Sequence, residues 1–102
     1  MNINLKIAKA KGLDVEIRGT EKCVVLMKGE GENRHGLYSI DYINDLKLNR
    51  DLEEDLLQAG LVPRYYPLSG LYGWEDIREE PLVTDADFGK ATAEAWCLQK
   101  GI

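Results

Sequence analysis

Two short segments near the start of the chain predict a β-hairpin. The segment LDVEIR, residues 13–18, alternates apolar and charged side chains without a break, which is typical of a strand with one buried and one solvated face. The segment CVVLMK, residues 23–28, is almost continuously apolar and predicts the returning strand. Residues 19–22 supply the turn, so antiparallel pairing is the simplest arrangement. A short helix, capped by Asn2 or Asn4 and ended by Gly12, is expected before this hairpin.

The longest amphipathic pattern covers residues 41–59. Ser39 or Asp41 can cap a helix there and Gly60 can end it, which gives about five turns at 3.6 residues each. Wound at 100° per residue, the segment separates a polar sector, with most of its acids, from a side rich in leucine. The preceding segment GEGENRHG, residues 29–36, is predicted to be a flexible connection.

The pattern changes again in residues 61–83. This segment holds all three prolines, three of the five tyrosines and one of the two tryptophans, so a regular helix is excluded. Pro63 and Pro67 favour an edge strand or an extended segment, and residues 74–78 can form a further strand after a turn at Ser69 and Gly70. After Pro81, a last helix is expected. Thr84 or Asp85 would cap it, Gly101 would follow its end, and one stripe would carry Phe88, Ala91, Ala95 and Leu98.

Length and composition limit the architecture that these elements can build. A chain of 102 residues with 44% hydrophobic residues can bury one core and is short for two ordinary domains. We therefore predict a single domain over residues 1–102 of the α+β class. Its small, mainly antiparallel sheet would have three or four strands, layered with two main helices and the short N-terminal helix.

Charge and cysteine usage exclude several classes of function. The chain carries 18 acids against 13 bases, a formal net charge of −5, which disfavours direct binding of a nucleic-acid backbone. Cys23 and Cys97 lie far apart in no ligand pattern, so we expect buried thiols, no metal site and no cofactor. The longest apolar run, residues 23–27, is far below the ~20 residues of a membrane span, which predicts a soluble, cytoplasmic protein.

Enzymatic chemistry has little support in the sequence. The one histidine, His35, follows Arg34 in a polar segment, and no nucleophile elbow, phosphate-binding loop or dinucleotide-binding motif is present. Adjacent acids such as Glu53 and Glu54 are a weak signal for acid–base catalysis, since nothing indicates a substrate between them. We therefore expect a non-enzymatic binding module.

The candidate binding site lies in the aromatic segment. Tyrosine, tryptophan and arginine offer large contact areas with polar ends and dominate interface hot spots. The predicted contact residues are Arg64, Tyr65, Tyr66, Tyr72, Trp74 and Arg78, and the predicted acidic rim is Glu75, Asp76, Glu79 and Glu80. The competing interpretation is structural, because alternate aromatic residues of a strand face the core.

Three further segments carry a family resemblance: NLKIAKAKGL at the start, DYINDLK before the central helix, and ATAEAWCLQKGI at the end. Together they resemble the phage ABA-sandwich domain, a family of small bacteriophage and prophage proteins in which helices cover a sheet. The resemblance implies a phage accessory protein working in the host cytoplasm, and it carries over no catalytic residues.

Three kinds of partner remain open. The first is a host protein, for example a component of host defence, contacted by the aromatic site and its acidic rim. The second is a small anionic ligand such as a signalling nucleotide, which Arg64 and Arg78 would bind together with the aromatic rings. The third is a second copy of the chain, because exposed aromatic residues can be buried in a homo-oligomer.

Overall fold

A computed structural model describes residues 2–76, 78 and 80–102 of the chain. These residues form an α+β fold with two three-stranded antiparallel sheets, so the predicted class is confirmed while the strands are divided over two sheets. The elements, in chain order, are α1 (Ile3–Ala10), β1 (Val15–Arg18), β2 (Cys23–Lys28), a 3-10 turn (Gly31–Asn33), β3 (His35–Ile40), α2 (Leu46–Gln58), β4 (Val62–Tyr66), β5 (Leu71–Glu75), β6 (Pro81–Asp85) and α3 (Phe88–Lys100).

The chain divides into two compact units, Met1–Asp41 and Tyr42–Ile102. The first unit contains α1 and the sheet β1-β2-β3. The second contains α2, the sheet β4-β5-β6 and α3. That residues 1–102 form a single domain stays a prediction.

The predicted N-terminal helix and hairpin are confirmed in the first unit. The Asn2 side chain caps α1 by accepting a hydrogen bond from the backbone N–H of Asn4, so Asn2 is the cap of the two candidates. Gly12 follows the helix with a φ of 76°, a left-handed conformation that glycine adopts without strain. In the hairpin, Ile17 pairs with Val24. Cys23 is exposed, which corrects the prediction that both thiols are buried, because β2 places it at the end of the strand.

The predicted flexible connection contains regular structure. The 3-10 turn falls within residues 29–36, and β3 begins at His35, so this part of the prediction is wrong. Arg34 stabilises the segment by donating hydrogen bonds to the carboxylates of Asp14 and Glu16, the first at 2.7 Å. Arg18 binds Glu16 as well, at 3.0 Å. The bond from Arg34 lowers the pKa of Asp14, and the bonds from Arg18 and then Arg34 lower the pKa of Glu16.

Helix α2 of the second unit begins later than its hydrophobic pattern suggests. Asp45 caps it by accepting hydrogen bonds from the N–H groups of Lys47 and Leu48, at 3.0 and 3.1 Å. The predicted caps are wrong, since Ser39 belongs to β3 and Asp41 precedes the unit. A short polar side chain occurs at all three positions, so cap preference alone does not choose among them.

One buried amide joins the start of α2 to the start of α3. The Nδ2 group of Asn49 donates to the backbone oxygen of Tyr42 at 2.8 Å and to that of Gly89 at 3.0 Å. Gly89 permits this close approach, because a Cβ atom there would lie 2.3 Å from the backbone oxygen of Ile43. The first turn of α3 is therefore held directly against the segment that leads into α2.

The core of the second unit lies between α2, α3 and the sheet. Leu52 and Leu56 of α2 are fully buried, and α2 packs against α3. Ala91 and Ala95 of α3 are also fully buried. The buried indole of Trp96 satisfies its N–H by donating to Asp55 at 2.9 Å. Asp55 thus accepts a hydrogen bond from a core side chain, although the helical pattern assigns it to the solvated sector.

The sequence prediction is wrong at the start of α3 and confirmed at its end. The predicted N-caps Thr84 and Asp85 are wrong, because both residues belong to strand β6, and Asp87 caps the helix instead. At the other end, Gly101 has a φ of 76° and stops the helix as predicted.

We expect Asn49→Ala to destabilise the protein by about 1–3 kcal/mol, because it leaves two buried carbonyl groups without their donor. Urea unfolding measures this change. Gln58→Ala, at an exposed position of the same helix, is the matched control and should stay within about 0.5 kcal/mol of the wild type. Equal stability of the two variants would contradict the role assigned to the Asn49 amide.

Candidate functional site

The sheet of the second unit divides the predicted aromatic site between its two faces. Antiparallel pairing sets Tyr65 opposite Tyr72 and Pro63 opposite Trp74, so these four side chains share one face. Helix α3 packs on that face over β5 and β6. Arg64, which pairs with Gly73, points to the other face. The predicted site is therefore divided between the two faces, and Arg64 on the edge strand borders both.

Trp74 is a core residue. It is fully buried, and its Nε1 donates to the hydroxyl of Thr92 on α3 at 3.0 Å. The Thr92 hydroxyl in turn donates to the backbone oxygen of Phe88 at 2.9 Å, which completes a chain of satisfied polar groups. The prediction that Trp74 contacts a partner directly is wrong, because Trp74 lies on the central strand of the sheet, directly beneath α3.

An apolar groove lies beside this core and reaches the edge strand β4. It encloses about 240 Å³ and is lined by Pro63, Arg64, Tyr65, Tyr72 and Phe88. The Tyr65 and Tyr72 ring centroids are 4.8 Å apart with a 46° tilt, and those of Tyr72 and Phe88 are 5.6 Å apart. Tyr65, at one end of this series of rings, is 53% exposed. Phe88, at the other end, stacks on the buried Trp74. We call this surface the aromatic groove.

Pro63 and Phe88 are the two lining residues that sequence reasoning did not assign to the site, and Phe88 is the aromatic one. Its spacing with Ala91 and Ala95 indicates a core position on α3. In the structure it is partly exposed, and it stacks on Trp74 with ring centroids 6.1 Å apart. The sequence feature that could have indicated a site role is the position of Phe88 in the first turn of a helix, where part of a side chain stays exposed.

The opposite face carries a polar cluster around Glu75. This carboxylate accepts a hydrogen bond from Arg64 Nε at 3.1 Å and another from the Tyr66 hydroxyl at 2.8 Å. The Tyr66 ring also lies over Gly73, where a Cβ atom would come within 3.0 Å of Tyr66 Cε2. Glu75 is only 8% exposed, so its assignment to an acidic rim is wrong. It holds β4 to β5.

Burial, together with the bond to the Glu75 carboxylate, raises the pKa of Tyr66 to about 12. Both effects favour the neutral phenol over the phenolate. The Glu75 cluster therefore keeps its hydrogen bond to Tyr66 throughout the neutral and mildly alkaline range.

The remaining predicted residues lie in the connection between β5 and β6. Arg78 and Glu80 are exposed, and Asp76 accepts a hydrogen bond from the backbone N–H of Arg78 at 2.8 Å, as in an Asx turn. Glu79 lies outside the described residues. The structure does not bring Asp76, Arg78 or Glu80 to the lining of the aromatic groove.

The second unit carries a net negative charge. Residues 42–102 contain twelve acids and six bases, whereas residues 1–41 contain six acids and seven bases. At the groove, the charge of Arg64 is already balanced by Glu75, and Lys90 lies 3.7 Å from Asp85. Asp87, the exposed cap of α3, precedes Phe88.

The described residues place two further limits on function. Among them, no group of three or more histidine, cysteine, aspartate or glutamate side chains is arranged to hold a metal ion. In the same residues, no helix is both long and apolar enough to cross a membrane.

The chain matches no protein-family model, no curated protein and no solved structure. The resemblance to the phage ABA-sandwich domain stays a prediction. Any functional conclusion therefore has to come from the geometry of the site.

We expect Trp74→Ala to lower the free energy of unfolding far more than Tyr65→Ala, because Trp74 lies in the core and Tyr65 on the surface. Loss of the fully buried indole should lower the free energy of unfolding by about 3–5 kcal/mol, because it leaves a cavity and removes the donor to Thr92. Tyr65→Ala should cost no more than about 1 kcal/mol, the scale of one cross-strand pair. Thermal or urea unfolding measures both, and a large loss in Tyr65→Ala would contradict its assignment to the surface.

We expect Tyr66 to ionise late in an alkaline titration followed by phenolate absorbance. Its midpoint should lie near pH 12, and Tyr66→Phe should remove that step alone. Because the pKa is raised in the folded state, the interaction stabilises the fold fully below pH 10 and loses its effect as the pH rises through 12. If Tyr66→Phe instead removes a step with its midpoint near pH 10, the hydrogen bond between Tyr66 and Glu75 would be contradicted.

Proposed function

We propose that this chain is a non-enzymatic binding module that contacts a partner protein through the aromatic groove. The observation that carries the proposal is the exposed Tyr65 on an edge strand, continued by Tyr72 and Phe88 into a concave apolar surface. Rigid aromatic side chains lose little conformational entropy on binding and bury a large area, which is why they dominate protein interfaces.

The charge of the unit favours a partner with a basic surface. Twelve acids against six bases in residues 42–102 would attract such a surface at long range and speed the encounter. A host protein whose basic surface ordinarily binds nucleic acid fits this description. The sequence resemblance supports the same setting: a phage or prophage accessory protein in the host cytoplasm, for example one that antagonises a defence component.

The two other kinds of partner have weaker support. A small anionic ligand would have to compete with Glu75 for Arg64, and the groove is lined mainly by apolar surface. Self-association through the groove would bring together two copies of a chain with a net charge of −5. Binding of a basic protein surface requires neither competition nor like-charge contact.

We expect a discrete partner protein to be retained by tagged wild-type chain from bacterial lysate, and to be lost with Tyr65→Ala. Native mass spectrometry identifies the complex and its stoichiometry. Tyr38→Ala is the matched control, since Tyr38 is also a strand tyrosine and is 60% exposed, but lies in the first unit. The complex should weaken as salt is raised.

Two results would contradict the proposal. A partner retained equally by Tyr65→Ala and the wild type would remove the groove as the binding site. A small ligand released on denaturation, with no bound protein, would replace the proposal with ligand sequestration.

A further inference from the structure

We propose that strand β4 is closed to the addition of a partner strand, and that Pro63 and Pro67 are the residues that close it. A partner of the aromatic groove would then bind through side chains alone. An extended segment, including β4 of a second copy of the chain, would be excluded. The statement about the partner rests on the proposed function, because it concerns the same groove. The closure itself follows from the directions of the backbone N–H groups of β4.

Pairing with β5 determines which residues of β4 turn their backbone groups to the open edge of the sheet. In an antiparallel ladder, alternate residues are bonded to the neighbouring strand and the others face away from it. Pro63 is paired with Trp74 and has no N–H to donate, so it belongs to the second set, and Tyr65 follows in the same set. The distance of 4.8 Å between the ring centroids of Tyr65 and Tyr72 agrees, because side chains lie closer together in pairs without ladder hydrogen bonds.

The open edge of β4 has few backbone donors. Four residues alternate along it, the first and last of them just outside the strand: Leu61, Pro63, Tyr65 and Pro67. The N–H of Leu61 already donates to the backbone oxygen of Leu56 at 3.0 Å. Both prolines lack an N–H. In this stretch, all of which the structure describes, Tyr65 therefore carries the one edge-facing N–H that is left for a partner strand.

A single donor is a poor basis for strand addition. An antiparallel strand gives and accepts hydrogen bonds at every second residue. Opposite each proline, a carbonyl group of the added strand would lose its hydrogen bonds to water and gain no donor, which opposes pairing. Proline protects sheet edges against pairing for this reason. Val62 and Tyr65 are exposed and belong to types that favour strands, so an unprotected β4 would be prone to pair with other chains.

Pro63 also lines the aromatic groove. A partner that reaches the groove therefore meets the side chains of Tyr65, Tyr72 and Phe88 beside an edge that does not extend the sheet. Pro63 thus adds an apolar ring to the groove and determines the kind of contact that the groove makes.

Amide hydrogen exchange in the wild-type protein tests the direction of the backbone groups. The amides of Arg64 and Tyr66 face β5 and should be protected, whereas the amide of Tyr65 should exchange about tenfold faster or more. Slow exchange at Tyr65 with fast exchange at Arg64 would overturn the inference, since Pro63 and Pro67 would then not face the open edge.

Replacement of the prolines should open the edge. Pro63→Val restores one N–H, and the double variant with Pro67→Val restores a second. With an end-blocked octapeptide of alternating valine and threonine, both variants should bind, and exchange at Tyr65 should slow about tenfold or more. The wild type should show neither effect. Pro81→Val, on the opposite edge of the same sheet, is the control and should leave exchange at Tyr65 unchanged.

Two results of the peptide experiment would contradict the closed edge. One is binding of the peptide by the wild type with slowed exchange at Tyr65, and the other is no gain of binding in the folded Pro63→Val variant. In both cases, a lysate partner that depends on Tyr65 would leave the proposed function intact. Absence of any such partner would instead remove the proposed function, while the exchange and peptide results would still decide whether the edge is closed.

Discussion

The buried carboxamide of Asn49 is the interaction on which the second unit depends. It holds the backbone of Tyr42 and of Gly89 at once, and the absence of a side chain at Gly89 makes the approach possible. Once the first turn of α3 is fixed there, the turn presents Phe88, and the next one presents Thr92 to the indole of Trp74. The same helix then contributes Thr92 to the core and Phe88 to the groove. Two neutral hydrogen bonds in a low-dielectric interior are worth more as constraints on geometry than their net free energy suggests.

The aromatic groove lies on the part of the sheet face that α3 does not cover. The helix packs on β5 and β6, so a residue of the central strand such as Trp74 is enclosed, while Tyr65 on β4 keeps half of its surface in solvent. The two side chains share one sheet face and differ only in their distance from the helix. On the reverse face, Glu75 joins β4 to β5 through Arg64 and Tyr66, which gives the edge strand a rigidity that Pro63 cannot supply through the ladder. A rigid, half-covered aromatic series is well suited to bind without reorganisation.

The sequence predicted the features that depend on local chemistry. The hairpin of β1 and β2, the edge position of the strand with Pro63, and the stop of α3 at Gly101 follow from side-chain alternation and backbone preference. It could not choose Asp45 over Asp41 as a cap, because both have the same intrinsic preference. It missed β3 and β6 because neither has a regular apolar alternation. The division of the aromatic segment into core and surface depends on where α3 packs, which no short-range pattern contains.

The cysteines, which have no role in the proposed binding, give each unit its own chemical reporter. Cys23 is exposed in the first unit and Cys97 is buried in the second. An alkylating reagent should therefore modify the first thiol in the native protein, and reach the second only when α3 moves away from its neighbours. The rate of that slower reaction measures how often this local opening occurs. Because the groove ends at the same helix, a ligand bound in the groove should slow this opening. Alkylation of Cys97 would then become slower, although the ligand does not contact its sulfur atom.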